Sequence, residues 1–122
     1  MAWSFSPDRA VYLQVADKIR ARVVSGEYVT GEQIPTVRQL AIEAAVNPNT
    51  MQRALTELEA EGLLESSGTL GRFVTTDAEV IIACKDKMIR ELVSDFVRNV
   101  ERLGVTQQNI IKVIMEVTNE RT

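Results

Sequence analysis

Residues 35 to 63 constrain the fold more than any other part of the chain: Pro-Thr-Val-Arg-Gln-Leu-Ala-Ile-Glu-Ala-Ala-Val-Asn-Pro-Asn-Thr-Met-Gln-Arg-Ala-Leu-Thr-Glu-Leu-Glu-Ala-Glu-Gly-Leu. Thr36 with Gln39 three residues on is a capping-box pattern, so a helix starts there. Val37, Leu40 and Ala41 supply its inner face, and Ala44 and Ala45 end it. Asn47 is a good N-cap for a second helix, and Pro48 suits the first helical position because its missing N–H is not needed there. Met51, Ala54, Leu55 and Leu58 recur at helical spacing and mark a buried stripe. At about 100° per residue the opposite side holds Asn49, Gln52, Arg53 and Thr56, with Thr50 flanking. Gly62 terminates the helix. The result is two short helices joined by a tight turn, the second opening with small polar side chains that its apolar stripe does not use.

The flanks add a three-helix head and a hairpin. A first helix is expected from Arg9 to Ser25, with Asp8 as N-cap, Gly26 as terminator, and Val15, Ile19 and Val23 on one face with Tyr12. Trp3, Phe5 and Pro7 are expected to pack over its start. Residues 26 to 35, with Gly26, Gly31 and Pro35, read as a loop. Leu63–Ser66 and Arg72–Thr75 are β-prone runs around Ser67-Gly-Thr-Leu-Gly71, which reads as a hairpin. The fold class is therefore mostly α with a small β-hairpin: a winged helix-turn-helix over residues 1–75. A second layout supports base contact, since polar residues at the start of such a helix can reach edges in a major groove. A plain solvated face fits the same periodicity.

Residues 76–122 change character. Thr76 and Glu79 form another capping-box pattern, opening a long helix to Leu103 that Gly104 breaks. Thr106 caps a final helix with Ile110, Ile111, Val113, Ile114 and Val117. Two helices this apolar cannot bury both faces in so short an appendage, and an exposed patch of this kind favours self-association. Met88, Leu92, Phe96, Val100, Ile110 and Ile114 are the expected dimerisation residues, and a closed two-fold homodimer is the expected form.

Composition closes off other classes. The 122 residues contain no histidine, which excludes histidine-based triads and leaves a metal site only Cys84 and carboxylates. No phosphate-cradling glycine loop is present, so the expectation is no enzyme, no cofactor and no metal. Cys84 is the single cysteine, which suits a reducing cytoplasm. It reads either as a packed thiol or as a redox sensor whose pKa Lys85 and Lys87 lower. With no signal-peptide pattern and no long apolar run, a cytoplasmic protein without membrane contact is expected. Net charge is −3. Glu57, Glu59, Glu61 and Glu65 cluster at the far end of the second short helix and just beyond it, whereas Arg38 and Arg53 lie near its start. A nucleic-acid footprint needs only a local patch of that kind.

The chain resembles the GntR family of bacterial transcription regulators, and within it the short YtrA-type branch. The motifs that carry the resemblance are Gly31-Glu-Gln-Ile-Pro-Thr-Val-Arg-Gln-Leu-Ala41, Val46-Asn-Pro-Asn-Thr-Met-Gln-Arg-Ala-Leu55, Leu58-Glu-Ala-Glu-Gly-Leu-Leu64 and Gly71-Arg-Phe-Val74. Four blocks in order are far more specific than any one of them. The resemblance implies a regulator, expected to be a repressor, that binds a near-palindromic double-stranded operator as a dimer. It also implies that the C-terminal helices pair the subunits, without the larger effector domain of other branches. Arg38, Asn47, Asn49, Thr50, Gln52 and Arg53 fall on the family's DNA-facing positions, and Thr36, Gly71 and Arg72 complete the candidate set. The wing departs from the family pattern: Gly68 stands where an arginine is usual, Thr69 where the first glycine is, and Arg72 in place of a threonine. A small-molecule effector of unknown identity would act by changing the pose of the heads, with Thr75-Thr76-Asp77 as hinge. The competing expectation is a winged-helix protein-interaction module without sequence-specific DNA binding, which the acidic balance also suits.

Overall fold

A computed structural model describes residues 3–121. The chain runs α1 (Val11–Val24), α2 (Val37–Ala44), α3 (Pro48–Ala60), β1 (Leu64–Ser66), a 3₁₀ turn (Gly68–Leu70), β2 (Arg72–Val74), α4 (Ala78–Glu101) and α5 (Gln107–Glu120). Two compact units divide it, one up to Cys84 and one from Lys85 onward.

In the first unit the apolar stripes meet in one core. Val15, Ala16, Ile19 and Val23 of α1 pack with Leu40, Ala41 and Ala44 of α2 and with Met51, Ala54, Leu55 and Leu58 of α3, all buried. Ile34, Leu63, Leu64 and Val74 close the core beneath the hairpin. Removing this much apolar side chain from water, at roughly 25 cal/mol per Å², is the main force holding the three helices together. The punctuation of α2 and α3 is as the sequence indicates. The Gln39 N–H donates to Thr36 Oγ1 at 3.1 Å, and the Thr36 N–H donates to Gln39 Oε1 at 2.9 Å. The Asn49 N–H donates to Asn47 Oδ1 at 2.7 Å, with Pro48 at the first helical position. Between the helices Ala45 takes the left-handed conformation, with φ 58°.

β1 and β2 pair antiparallel with Leu64 opposite Val74, Glu65 opposite Phe73 and Ser66 opposite Arg72. The segment before α2, expected as loop, adds to this ribbon. The Gly31 N–H donates to the Val74 carbonyl, the Val74 N–H to the Glu32 carbonyl and the Ile34 N–H to the Arg72 carbonyl, each at 2.9–3.0 Å. β2 would otherwise present unpaired backbone on that side, so this pairing answers a need that single-residue patterns do not reveal.

Three local expectations are corrected. α1 begins at Val11 behind Ala10, and Asp8 does not cap it. Instead Gln14 reaches back from inside the helix: its Nε2 donates to the carbonyls of Ser6 and Arg9, and its Oε1 accepts from the Ser6 N–H. Trp3 does not lie over the start of α1. Its indole N–H donates to Glu43 of α2 at 3.1 Å, and its ring lies 5.0 Å from the Arg22 guanidinium in the last turn of α1. Asp77, not Thr76, caps α4, its Oδ1 accepting from the Glu79 N–H at 3.1 Å.

The Thr75-Thr76-Asp77 segment is also no slack hinge. Thr75 is 1% exposed, its hydroxyl donating to Glu65 and accepting from the Asp77 N–H. Val80, Ile81 and Cys84, in the first two turns of α4, pack against the head core.

In the second unit α4 continues to Glu101 and α5 follows after Gly104, capped by Thr106, whose Oγ1 accepts from the Asn109 N–H at 3.2 Å. Ile110 is 7% exposed, while Leu92 and Phe96 are 68% and 43% exposed. Met88 and Val100 are half-buried, and Ile89, Val93, Ile111, Val113, Ile114, Met115 and Val117 are all exposed.

Candidate nucleic-acid interface

The amino end of α3 stands open to solvent. Its buried stripe, Met51, Ala54, Leu55 and Leu58, fixes the rotation of the helix, which forces Asn49, Gln52 and Arg53 outward. All three are exposed, and Thr50 beside them is half-buried. An α-helix leaves its first amides without intrahelical acceptors. Asn47 takes the Asn49 N–H, and Pro48 has none to offer. The Thr50 N–H has no acceptor among the described residues, so it faces outward with the positive end of the helix dipole behind it.

Arg53 is held from the side. Its guanidinium carbon lies 3.8 Å from the centroid of the Tyr12 ring on α1. Val11, Tyr12, Asn49, Thr50 and Arg53 together line one shallow groove where α1 and α3 begin. A second groove runs between the start of α2 and the wing, lined by Pro35, Thr36, Arg38, Gly71 and Arg72 among others. Arg38 is exposed and, among the described residues, has no ion-pair partner. Glu43, further along α2, is taken by Arg22 instead.

The two wing residues are engaged within the head. Arg72 is ion-paired with Glu59 near the end of α3, and its side chain is mostly buried. Gly71 sits at φ 101° and ψ −154°, a region open essentially only to glycine. The side-chain amide of Gln33 donates to the Leu70 carbonyl, tying the wing turn to the segment before α2. Neither Gln33 nor Glu59 was legible as a functional residue, because each acts through a partner far away in sequence.

Of the acidic residues toward the far end of α3, Glu59 and Glu61 are likewise engaged, while Glu57 is exposed. Arg20 of α1 clamps Glu61 with two hydrogen bonds of 2.8 and 2.6 Å and also binds Asp17. The Glu61 hydrogen bonds hold its guanidinium above the ordinary arginine value, in spite of partial burial. Arg22 is raised in the same way, chiefly by Glu43, and Glu43 is correspondingly held below the usual carboxylate range. Burial pushes the Tyr28 phenol up, against the hydrogen bond it accepts from Arg22. Glu43, Glu59 and Glu61, which would repel a polyanion, are thus paired with arginines, while among the described residues Arg38 and Arg53 have no acidic partner. Cys84 is half-buried against the head core.

Among the described residues no group of three or more Cys, Asp or Glu could hold a metal ion, and no helix is long and apolar enough to cross a membrane.

A three-helix head with a β-wing and an open, polar start to its third helix defines a winged helix-turn-helix of the nucleic-acid-binding type. The family described as bacterial regulatory proteins, gntR family, matches residues 11–74. The chain is 38% identical over 93% of its length to YhcF, an uncharacterised HTH-type transcriptional regulator of Bacillus subtilis, covering 94% of that protein. It is 28% identical over 88% of its length to the HTH-type transcriptional repressor YtrA of the same organism, covering 84% of it. A GntR family transcriptional regulator from Listeria monocytogenes superposes with a TM-score of 0.84 at 28% identity, over 92% of this chain and 98% of that one. The DNA-binding domain of AraR, solved in complex with operator ORX1, superposes with a TM-score of 0.57 at 26% identity, over 62% of this chain and 95% of that one. This chain belongs to the GntR family of transcriptional regulators, proteins that act on transcription rather than as enzymes.

Proposed function

We propose that the protein is a cytoplasmic repressor that binds a near-palindromic operator as a homodimer. Residues 1–75 are the DNA-binding head, and residues 76–122 pair the subunits. The observation that carries this reading is the exposed polar start of α3, with Asn49, Gln52 and Arg53 outward and the Thr50 N–H unsatisfied. Asn49 and Gln52 each offer a donor and an acceptor, the pattern that reads adenine, while Arg53 can pair bidentately with guanine. Arg38, the Thr36 hydroxyl, the Thr50 N–H and Asn47 bind phosphate and set the register. At the wing, Gly71 offers backbone to a phosphate, and Arg72 reaches one by exchanging Glu59 for it.

The repressor role is supported by the name of the relative YtrA, and operator binding by the AraR domain solved on its operator. The dimer is supported by the exposed apolar residues along α4 and α5, which a lone subunit leaves in water. A small-molecule effector would act on the C-terminal helices. Two reading helices related by a two-fold axis would address half-sites about one helical turn, ~10 bp, apart.

Selection of bound duplexes from a random pool tests the whole reading. The expected product is an inverted repeat whose binding weakens steeply with salt, as phosphate neutralisation requires. Recovery of no consensus, with weak salt-insensitive binding, would favour the protein-docking alternative.

A further inference from the structure

We infer that Tyr12 is a positioning residue for operator reading, holding the Arg53 guanidinium on its ring face so that the fork is aimed before DNA arrives. This rests on the assignment of Arg53 to the DNA-facing set. The geometry is specific: the guanidinium carbon stands 3.8 Å from the ring centroid, well inside the range at which a cation feels the ring's negative face. Tyr12 is half-buried on α1, so the platform is rigid, while Arg53 is exposed on α3. The two helices are packed through Val15, Ile19, Ala54 and Leu58, which fixes the separation of platform and cation.

The chemistry favours this arrangement over an ion pair. A carboxylate would occupy the N–H edge of the guanidinium and would have to be displaced by a base or a phosphate. A ring covers one face only, leaving all five N–H donors on the perimeter free. Stacking therefore restricts a flexible side chain without consuming its hydrogen-bonding capacity. Asn49 and Thr50 line the same groove as Tyr12 and Arg53, so the aimed fork sits among the other residues of the proposed contact. The hydrophobic periodicity of α1 places Tyr12 beside the core and gives no hint of this use.

The probe is the duplex recovered from the random-pool selection, with the full chain as the protein. Tyr12→Phe keeps the ring and is expected to bind within about twofold of the wild type. Tyr12→Leu keeps apolar bulk but loses the ring face, and should bind about fivefold more weakly. In an Arg53→Ala background, Tyr12→Leu should produce no further loss, because the platform then has nothing to aim. A merely structural Tyr12 would weaken both backgrounds alike. A measurement without DNA stands beside these: ring current should shift the Arg53 side-chain protons upfield in the free wild-type protein. Unshifted Arg53 protons, or a Tyr12→Leu loss that persists without Arg53, would overturn the inference while leaving the DNA-binding reading intact. If Arg53→Ala binds the selected duplex like the wild type, Arg53 is not in the site and the inference falls while DNA binding stands; if no duplex is recovered, both fall.

Discussion

At the scale of single residues, the wing turn shows how backbone torsion and charge pairing limit what a side chain can do. Gly71 holds φ 101°, where any Cβ is strained, and a Cβ there would also stand 2.8 Å from the Gln33 amide nitrogen. That amide can swing aside, so the torsion decides the outcome. Gly71→Ala should cost about 1–3 kcal/mol of stability, read as a lowered midpoint in thermal unfolding; an unchanged midpoint would show that the turn adapts. Arg72 beside it is held by Glu59, whereas Arg38 is held by no acid among the described residues. Removing the one and releasing the other should have opposite effects on binding. Arg38→Ala removes a free cation and should weaken operator binding about tenfold. Glu59→Gln releases Arg72 and should strengthen binding two- to fivefold, about the value of a partly exposed ion pair. Titration of both variants against the selected duplex decides it, and weaker binding by Glu59→Gln would mean that the pair serves the wing's shape instead.

At the scale of elements, what was legible followed from how local the cause was. α2 and α3 were legible because Thr36–Gln39 and Asn47–Pro48 act within one helical turn, and the faces of α3 followed from its apolar spacing. The outward set Asn49, Gln52 and Arg53 was legible for the same reason. The misses were long-range. Gln14, not Asp8, shapes the start of α1 by folding back on Ser6; residues 31–34 pair with β2; Trp3 crosses to α2. Arg53 was legible as exposed, but its Tyr12 platform was not, because the contact joins two helices far apart in sequence. The Trp3–Glu43–Arg22 tie that joins the N-terminal segment, α1 and α2 also carries a pH signature. Hydrogen bonding to Arg22 lowers the folded-state pKa of Glu43 below its unfolded value. The contribution is then fully present above the ordinary glutamate pKa and is lost as pH falls through the depressed one. Glu43→Gln should accordingly be less stable than the wild type at neutral pH, with the gap closing under acid. Denaturant unfolding at several pH values checks this, and a gap that stayed constant would assign the effect to Trp3 packing alone.

At the scale of the whole molecule, the same chain presents two surfaces of opposite character. The head offers polar donors around the start of α3, and the second unit offers Leu92, Phe96, Ile111, Val113 and Ile114 to water. Met88, Leu92, Phe96 and Val100 recur every four residues on α4, which keeps them on one side of the helix. Such a stripe is costly in a monomer, and a second copy is a partner always available at equal concentration. Coupling two heads makes the second half-site contact intramolecular, so a full operator should bind at least about 100-fold more tightly than a half-site. The double substitution Leu92→Glu and Phe96→Glu puts charge into the stripe without touching the head. Sedimentation should show a monomer, affinity for an isolated half-site should be unchanged, and affinity for the full inverted repeat should fall to the half-site value. A variant that stayed dimeric would move the interface elsewhere on the chain. A monomer that still bound the full repeat tightly would mean that the heads cooperate on DNA without the C-terminal helices.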